Sequence, residues 1–525
     1  MEAEFTRGEG AAPTSPWPLV VLGLLLVLEL AAALSLNGGR LTYTLDDPYI
    51  HLALAENLLH GHYGLNASEA SAPSSSVLWP YLLAPFTALS FVEWVPLVVN
   101  ALCAALTLVV IQRSIVEALA PLDSALLRRA VVVLSVLAIP ATNLVGLVFT
   151  GMEHSLQVLV AVLVVRGLAI AARGGSAPSW LFAAIVIGPL VRYENAALSL
   201  AALLWLWLAG ERGRVLATAL GVAASLGAFS LYLLSQGLHP LPTSVLVKSA
   251  AVAPDGGFKA AVYALYHNLS STPGLLMSLG VVAFLAAGTN RARSAVERRT
   301  ALCVALALAL HLGVGRFGWY GRYEVYAWSA GLVAALYLWG ARLRSQVAGQ
   351  ALAKTALVGV AVVGIACREY VIVLANNAFA SNNVFQQHYT MHRFAVEHWG
   401  KPVAVNDLGW VAFRNDEYVL DLWGLASLEA LEARREHEDQ AWFAPLAERH
   451  GVRAAMIYDK WFPKLPATWR RVGELRMGGP RVTPADSVVS FYATAPEHVA
   501  EVEASLRELQ AEVPSGAALV LDGGS

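Results

Sequence analysis

Two adjacent carboxylates, Asp46 and Asp47, stand in the stretch YTLDDPYIHLALAENLLHGHYG at residues 43–64, at the mouth of an apolar chain. Pro48 suits the first position of a helix, where its missing N–H is no loss, and Asp47 before it is a favoured N-cap. Gly61 supplies the stop. The spacing therefore predicts a helix over 49–60, with Ile50, Leu54 and Leu58 on one apolar face and His51 and Glu56 elsewhere. If Asp47 caps that helix, its carboxylate is occupied by backbone N–H groups, while Asp46, one step back in extended chain, points the other way. A carboxylate so placed is either solvated or a general base, and the company it keeps decides between them.

The elements that must position this pair are mostly apolar. Of 525 residues, 57% are hydrophobic and 14% charged, against about 25% charged in an ordinary soluble domain. A net charge of -2, from 36 basic and 38 acidic residues, offers no field for nucleic acid. Cys103, Cys303 and Cys367 lie in apolar runs and form neither a disulfide framework nor a zinc spacing. Apolar runs at 17–36, 94–111, 130–149, 155–172, 180–191, 195–210, 215–235, 273–288, 300–314, 323–340 and 351–374 predict about eleven transmembrane helices. The first run lacks a small-residue cleavage site and reads as a retained anchor. Glu29 within it costs roughly 2.5 to 3.5 kcal/mol in lipid, so its face points into the bundle.

Arg113 with Arg128 and Arg129, Arg173, Arg212 with Arg214, Arg291 to Arg299, and Arg342 with Arg344 fall in alternate loops, which the positive-inside rule makes cytoplasmic. The aspartate pair, the Met152-Glu153-His154 corner, Arg192 to Glu194, the loop 236–272 with Lys248, and Arg316 to Arg322 then share the outer side, with everything after 374. The stretch 74–91, broken by Pro80 and Pro85, reads as a half-span or interfacial helix. From 376 the composition turns soluble: VAVND, EYVLDLWGL and VVSFYATA suit strands, and Val499, Val502, Leu506 and Leu509 fall on one helical face. The predicted fold is thus a polytopic α-helical membrane domain over 1–375, with interfacial helices, and an extracytoplasmic α/β domain over 376–525.

The stretch DDPYIHLALAENLLHGHYG, followed by a small-residue loop and SSSVLWPYLLAPF, resembles the first external loop of the multi-spanning type C (GT-C) glycosyltransferases. It is most similar to the group that includes the mycobacterial terminal arabinofuranosyltransferases. TGMEHSL resembles that group's Gly-Leu-Glu-Thr corner, VRYENAALSL its Arg-Pro-Glu-Gly segment, LPTSVLVKS its Leu-Pro-Asn-Thr segment, and VAVNDLGWVAFRNDEYVLDLWGL its Asp-x-Gly segment. Pro48 stands where the family has a small residue, and the proline of the family's Ser-Pro-Leu-Trp segment is missing. The resemblance implies transfer of a sugar from a polyprenyl-phosphate donor to a hydroxyl of a cell-envelope glycan or glycolipid, with inversion, on the outer face of a bacterial plasma membrane. Such chemistry needs a base and cations for the leaving phosphate. Asp46 is the candidate base beside Asp47. Lys248 is the candidate phosphate partner, with Arg192 and Arg322 after it, and Glu153, His154, Tyr49 and His51 are candidate substrate contacts. No cofactor is expected; a divalent metal stays open.

Other strings carry less. GVGRFG at 313–318 leaves a membrane helix and opens no βαβ unit, so it is not a dinucleotide fingerprint. His388 and His392, four apart on a predicted helix, fit amphipathic packing better than metal ligation. Asn66 and Asn268 match the glycosylation pattern, and Trp319 and Tyr320 read as belt aromatics. The rival function is a transporter or flippase of lipid-linked sugars, which would place its polar groups near the bilayer midplane.

Overall fold

The computed structural model describes residues 15–248, 258–348, 352–437 and 439–522. The chain is mostly helical, with one sheet near its C-terminal end. Helices form at all the apolar runs: α1 (Trp17–Leu36), α3 (Val95–Leu119), α4 (Ser124–Ala141) with the short α5 (Leu144–Phe149), α6 (His154–Ala172), α7 (Ser179–Val191), α8 (Ala196–Leu208), α9 (Arg212–Ser235), α11 (Thr272–Thr289), α12 (Ala295–Val314), α13 (Val325–Gln346), α14 (Leu352–Ala366) and α15 (Arg368–Val384). Between them lie α2 (Asp47–Leu59) and α10 (Thr243–Lys248).

Five of the described helices are long and apolar enough to cross a membrane: α1, α3, α6, α9 and α11. A sixth arises if α14 and the helical stretch after it, bent by 75° at Cys367, count as one span. The sequence expectation was about eleven. Part of the difference lies in length and continuity; α12 and α13, with 20 and 22 residues, are long enough and fall short on composition. Helices α7 and α8 have 13 residues each, about 20 Å at ~1.5 Å per residue against a hydrocarbon core of ~30 Å. The run 130–149 breaks at Asn143, which sits at φ 50°. The segment 74–91 forms only a six-residue helix, Leu78–Leu83, followed directly by one 3-10 turn, Ala84–Phe86, so it contains no helix able to span.

One end of the bundle gathers the arginines. Arg173, at the end of α6, pairs with Glu117 of α3 at 2.9 Å, Arg214 donates to the carbonyl of Ala177, and Arg293 to that of Leu338. The opposite end carries Asp47, Glu153, Arg192 and Arg322. Glu29 of α1 hydrogen bonds to Asn377 of α15, so its face does turn toward a neighbouring helix.

Helix α15 continues without a break through helical turns to Trp399, carrying the chain from the bundle to the sheet. The six strands are β1 (Val403–Val405), β2 (Val419–Asp421), β3 (Ala454–Ile457), β4 (Arg470–Arg476), β5 (Val488–Ala493) and β6 (Ala518–Leu521), in the order β2-β1-β3-β5-β4-β6. The strands β2, β1 and β3 are parallel, and β5, β4 and β6 are antiparallel. Val502, Leu506 and Leu509, buried on helix Val499–Gln510, pack on one face. That face and α2 share a single apolar cluster, in which the Tyr49 ring stacks on Trp410 at 3.8 Å. The sheet is therefore seated on the first loop by burial of common apolar surface, and the seam between them is where the aspartates lie.

Candidate active site

The seam opens into a cleft of about 260 Å³ lined by Asp46, Asp47, Arg316, Trp319, Arg322, Tyr323, His388, Asn406, Asp407, Trp423 and Trp461, among others. Several sources converge there: the start of α2, the turn 316–323 ahead of α13, the end of α15 and the helical stretch after it with His388, the loops that leave β1, β2 and β3 at their C-terminal ends, and residues 483–485 between β4 and β5. The resulting mix of carboxylates, guanidinium groups, one imidazole and indole rings suits a substrate that carries both charge and hydroxyls.

The aspartates sit differently from the expectation. Helix α2 begins at Asp47, two residues earlier than 49–60 implied, so Asp47 is its first residue and not its cap. The Asp47 carboxylate pairs with Arg322 at 2.7 Å. Asp46 takes the N-cap position with helical φ and ψ of -79° and -30° and makes no side-chain cap bond, since a capping side chain needs extended backbone. Its carboxylate instead accepts from the N–H groups of Gly409 and Trp410, at 2.6 and 2.8 Å, the first turn of α16 (Gly409–Ala412). Asp46 thus ties the first loop to the sheet. Burial pushes its pKa up to about 6, against the opposing pull of His388 and the two amides.

His388 Nε2 lies 3.2 Å from Asp407 Oδ2. Burial lowers the imidazole's pKa, but Asp46 and Asp407 outweigh it and hold the group above its ordinary value. The protonation of Asp46 and that of His388 therefore depend on each other. Its neighbour Arg316 is exposed on the cleft wall, and Arg322 is buried beneath it, with its guanidinium 5.1 Å from the Tyr323 ring centroid.

The remaining candidates gather one layer deeper. Arg192 is buried and bonded to Glu153 at 2.5 Å, to Glu194 at 2.8 Å and to Ser75, so it is no interfacial anchor. His51 Nε2 lies 3.6 Å from the buried Glu153, and its Nδ1 faces Ser74 Oγ at 3.1 Å. His154, buried, sets its ring edge-on to Tyr323 at 6.4 Å. Tyr49 is fully buried against Trp410, and its hydroxyl oxygen accepts from Tyr43 N–H. None of Arg192, Glu153, His154, His51 and Tyr49 lines the cleft; they form the floor that fixes α2 and the Tyr323 turn. Lys248 ends α10, directly after Val247 of the cleft wall, and its side chain lies outside the described residues.

Sequence reasoning missed Asp407, His388, Asn406, Arg316, Trp423 and Trp461 as site residues. The Asp-x-Gly resemblance at VAVNDLGW was the signal for Asp407. The histidine pair separates in space: His388 faces the cleft, whereas His392 Nδ1 contacts the carbonyl oxygen of Trp410 at 2.8 Å. Trp319 lines the cleft, while Tyr320 turns inward to donate to Asn377. Asn66 and Asn268 are buried with their amides bonded to backbone, Asn66 to Val419 and Asn268 to Leu312 and Gly315, which withholds both from glycosylation. Glu397, His398 and Glu512 are, among the described residues, the group close enough to share an ion; Arg393 already pairs with both glutamates.

A family model described as a domain of unknown function (DUF8728) matches residues 382–492, which include His388, Asp407, Trp423 and Trp461. No curated protein matches the chain. Among solved structures it is similar to the apo oligosaccharyltransferase of Archaeoglobus fulgidus, at 13% identity and a TM-score of 0.48, over 97% of this chain and 76% of that one. It is also similar to the A. fulgidus oligosaccharyltransferase AglB in complex with an inhibitory peptide and a dolichol-phosphate, at 12% identity and a TM-score of 0.44, over 92% and 75% of the two chains.

Proposed function

We propose that this chain is an integral-membrane glycosyltransferase that moves a sugar from a polyprenyl-phosphate donor to a hydroxyl of an envelope glycan or glycolipid, on the outer face of a bacterial plasma membrane. The observation that carries the reading is the cleft itself, where Asp46 and Asp47 meet Arg316 and Arg322 at one end of an apolar helix bundle. A flippase of lipid-linked sugars would need its polar groups along a midplane path, and here they cluster at the end opposite the arginine loops. In the proposed topology about eleven helical segments belong to the membrane part, and the sheet lies outside.

Asp46 accepts the proton of the acceptor hydroxyl, whose oxygen attacks the anomeric carbon from the face opposite the phosphate. The bond from that carbon to the phosphate oxygen breaks, and polyprenyl phosphate leaves with the electron pair, so configuration inverts. Arg316 and Arg322 stabilise the growing negative charge, and Lys248 belongs to this set by its place after Val247. A carboxyl that ionises near 6 is a stronger base than an ordinary one while still charged at neutral pH. His388 beside it, its pKa held above the ordinary value, favours the charged form of the base.

The test is sugar transfer by the full chain in nanodiscs, supplied with lipids extracted from the source membranes, with mass spectrometry naming the lipid that donates. Asp46→Asn should slow transfer by about 100-fold to 10,000-fold and spare donor binding. Arg316→Met, at an exposed position, should weaken donor binding by about tenfold to 100-fold, the worth of a charge-assisted contact, with thermal stability unchanged. Parental transfer by Asp46→Asn would remove Asp46 as base, and transport of the lipid-linked sugar across reconstituted vesicles without any transfer product would favour the flippase.

A further inference from the structure

The cleft has a second side that the transfer step does not use. Strand β1 lies between the parallel strands β2 and β3, and ligands of open α/β sheets bind in the crevice outside the carboxyl ends of such strands. The residues that follow those ends all line the cleft: Asn406 and Asp407 after β1, Trp423 after β2, and Trp461 after β3. The two indoles form a pair, with ring centroids 4.6 Å apart and planes at 45°.

Both rings are held from behind. The Trp423 N–H donates to Asp421 Oδ1 at 2.8 Å, and the same carboxylate takes the amides of Leu425 and Ala426, which fixes the loop. The Arg434 guanidinium covers one face of Trp423 at 4.1 Å. Trp461 packs on Tyr458 at 5.4 Å, whose hydroxyl donates to Gln387. Beside them Asn406 is buried; its Oδ1 accepts from Tyr458 N–H, and its Nδ2 has no hydrogen-bond partner among the described residues. A rigid indole surface next to an unused amide donor and a carboxylate is a site awaiting a ligand with both C–H faces and hydroxyls.

We infer that this crevice is the acceptor subsite and that the acceptor is a saccharide whose ring lies on Trp423 and Trp461, an inference that rests on the transferase reading above. A sugar ring packs its C–H face on an aromatic surface and turns its hydroxyls outward. Asp407 accepts from one of them, and Asn406 Nδ2 donates to another. A peptide acceptor would be held through its backbone at an open sheet edge. The edge strand β2 is closed at this point, because Val419 gives its N–H to Asn66 Oδ1 at 2.8 Å and receives Asn66 Nδ2 at 3.0 Å on its carbonyl. A purely apolar acceptor would leave Asn406 Nδ2 desolvated and unpaired.

The experiment is saturation-transfer NMR on the full chain in nanodiscs, with linear malto-, manno- and arabinofuranosyl-tetrasaccharides and a Gly/Ser/Thr octapeptide as probes. At least one saccharide should bind the unaltered chain, with its ring C–H protons saturated. Trp423→Leu and Trp461→Leu should each weaken that binding by about tenfold, an aromatic contact's worth, while Trp423→Phe retains most of it. Should the leucine variants lose their fold, Trp423→Phe against Asn406→Ala decides: binding that survives the first and falls in the second supports the subsite. Binding of the octapeptide alone, of no probe, or of saccharides with equal strength by folded leucine variants overturns it. Saccharide binding that needs the tryptophans in a chain that transfers nothing would sink the transferase reading and leave the subsite standing.

Discussion

The charge of a single carboxyl links the seam's stability to its chemistry. Asp46 ionises near 6 in the folded chain because it is buried, whereas an unfolded aspartate ionises near about 3.9. Between roughly pH 4 and pH 6 the folded state therefore holds a proton that the unfolded state has released, and on this group alone stability falls as pH rises through that window. Transfer should run the other way, rising with pH through about 6 as the base becomes available. Thermal unfolding and transfer rate measured in parallel across about pH 4 to pH 7 should show the two opposed trends, and Asp46→Asn should flatten the stability trend. Because the charges of Asp46 and His388 act on each other, the observed midpoint belongs to the pair.

At the scale of the element, α16 is a four-residue helix that would have no reason to persist alone, since one turn fixes several residues for a single hydrogen bond. Asp46 supplies the missing partner for its first two amides. The fit depends on Gly409, where an added Cβ would fall 2.1 Å from the Asp46 carbonyl oxygen and 2.8 Å from its carboxyl carbon. Gly409→Ala should therefore push the aspartate off the helix start, costing about 1 to 3 kcal/mol as an overpacked contact and reducing transfer without removing any functional group. Gly213→Ala, where nothing lies within 4 Å of the new Cβ, should change neither. Equal melting temperatures and rates for Gly409→Ala and the parent would show that the Asp46–α16 joint is not needed.

At the scale of the whole molecule, the apolar helices are those of a multi-pass membrane protein, and one continuous core joins the first loop to the sheet. In the proposed topology the first loop and the sheet share a compartment, opposite to the loop that carries Arg291 and Arg293. All three native cysteines are buried, so labelling can be read at introduced sites. Ser68→Cys and Glu497→Cys, at exposed positions of the first loop and the sheet part, should react in intact cells with an impermeant thiol reagent. Ala292→Cys, exposed between α11 and α12, should react only after the membrane is opened. Labelling of Ser68→Cys without Glu497→Cys would contradict the shared core.

By itself the sequence determined what depends on local composition and period: apolar helices at each hydrophobic run, strands at VAV, VLD and VVSFYA, the buried face of Val502, Leu506 and Leu509, and the importance of the segment around Asp46. It did not find β3, β4 or β6, which are short or lack clean alternation, and it did not see the break at Asn143, which leaves the hydropathy of its run unchanged. Only the tertiary structure decided what Asp46 and Asp47 do. Local capping rules gave the helix start to Asp47, but the partners that won, Arg322 and the Gly409–Trp410 amides, are some 275 and 363 residues away. The same holds for Asp407, His388 and the two tryptophans. Their chemistry arises from convergence across the seam, and pairings at such separation leave no periodic trace in a single chain.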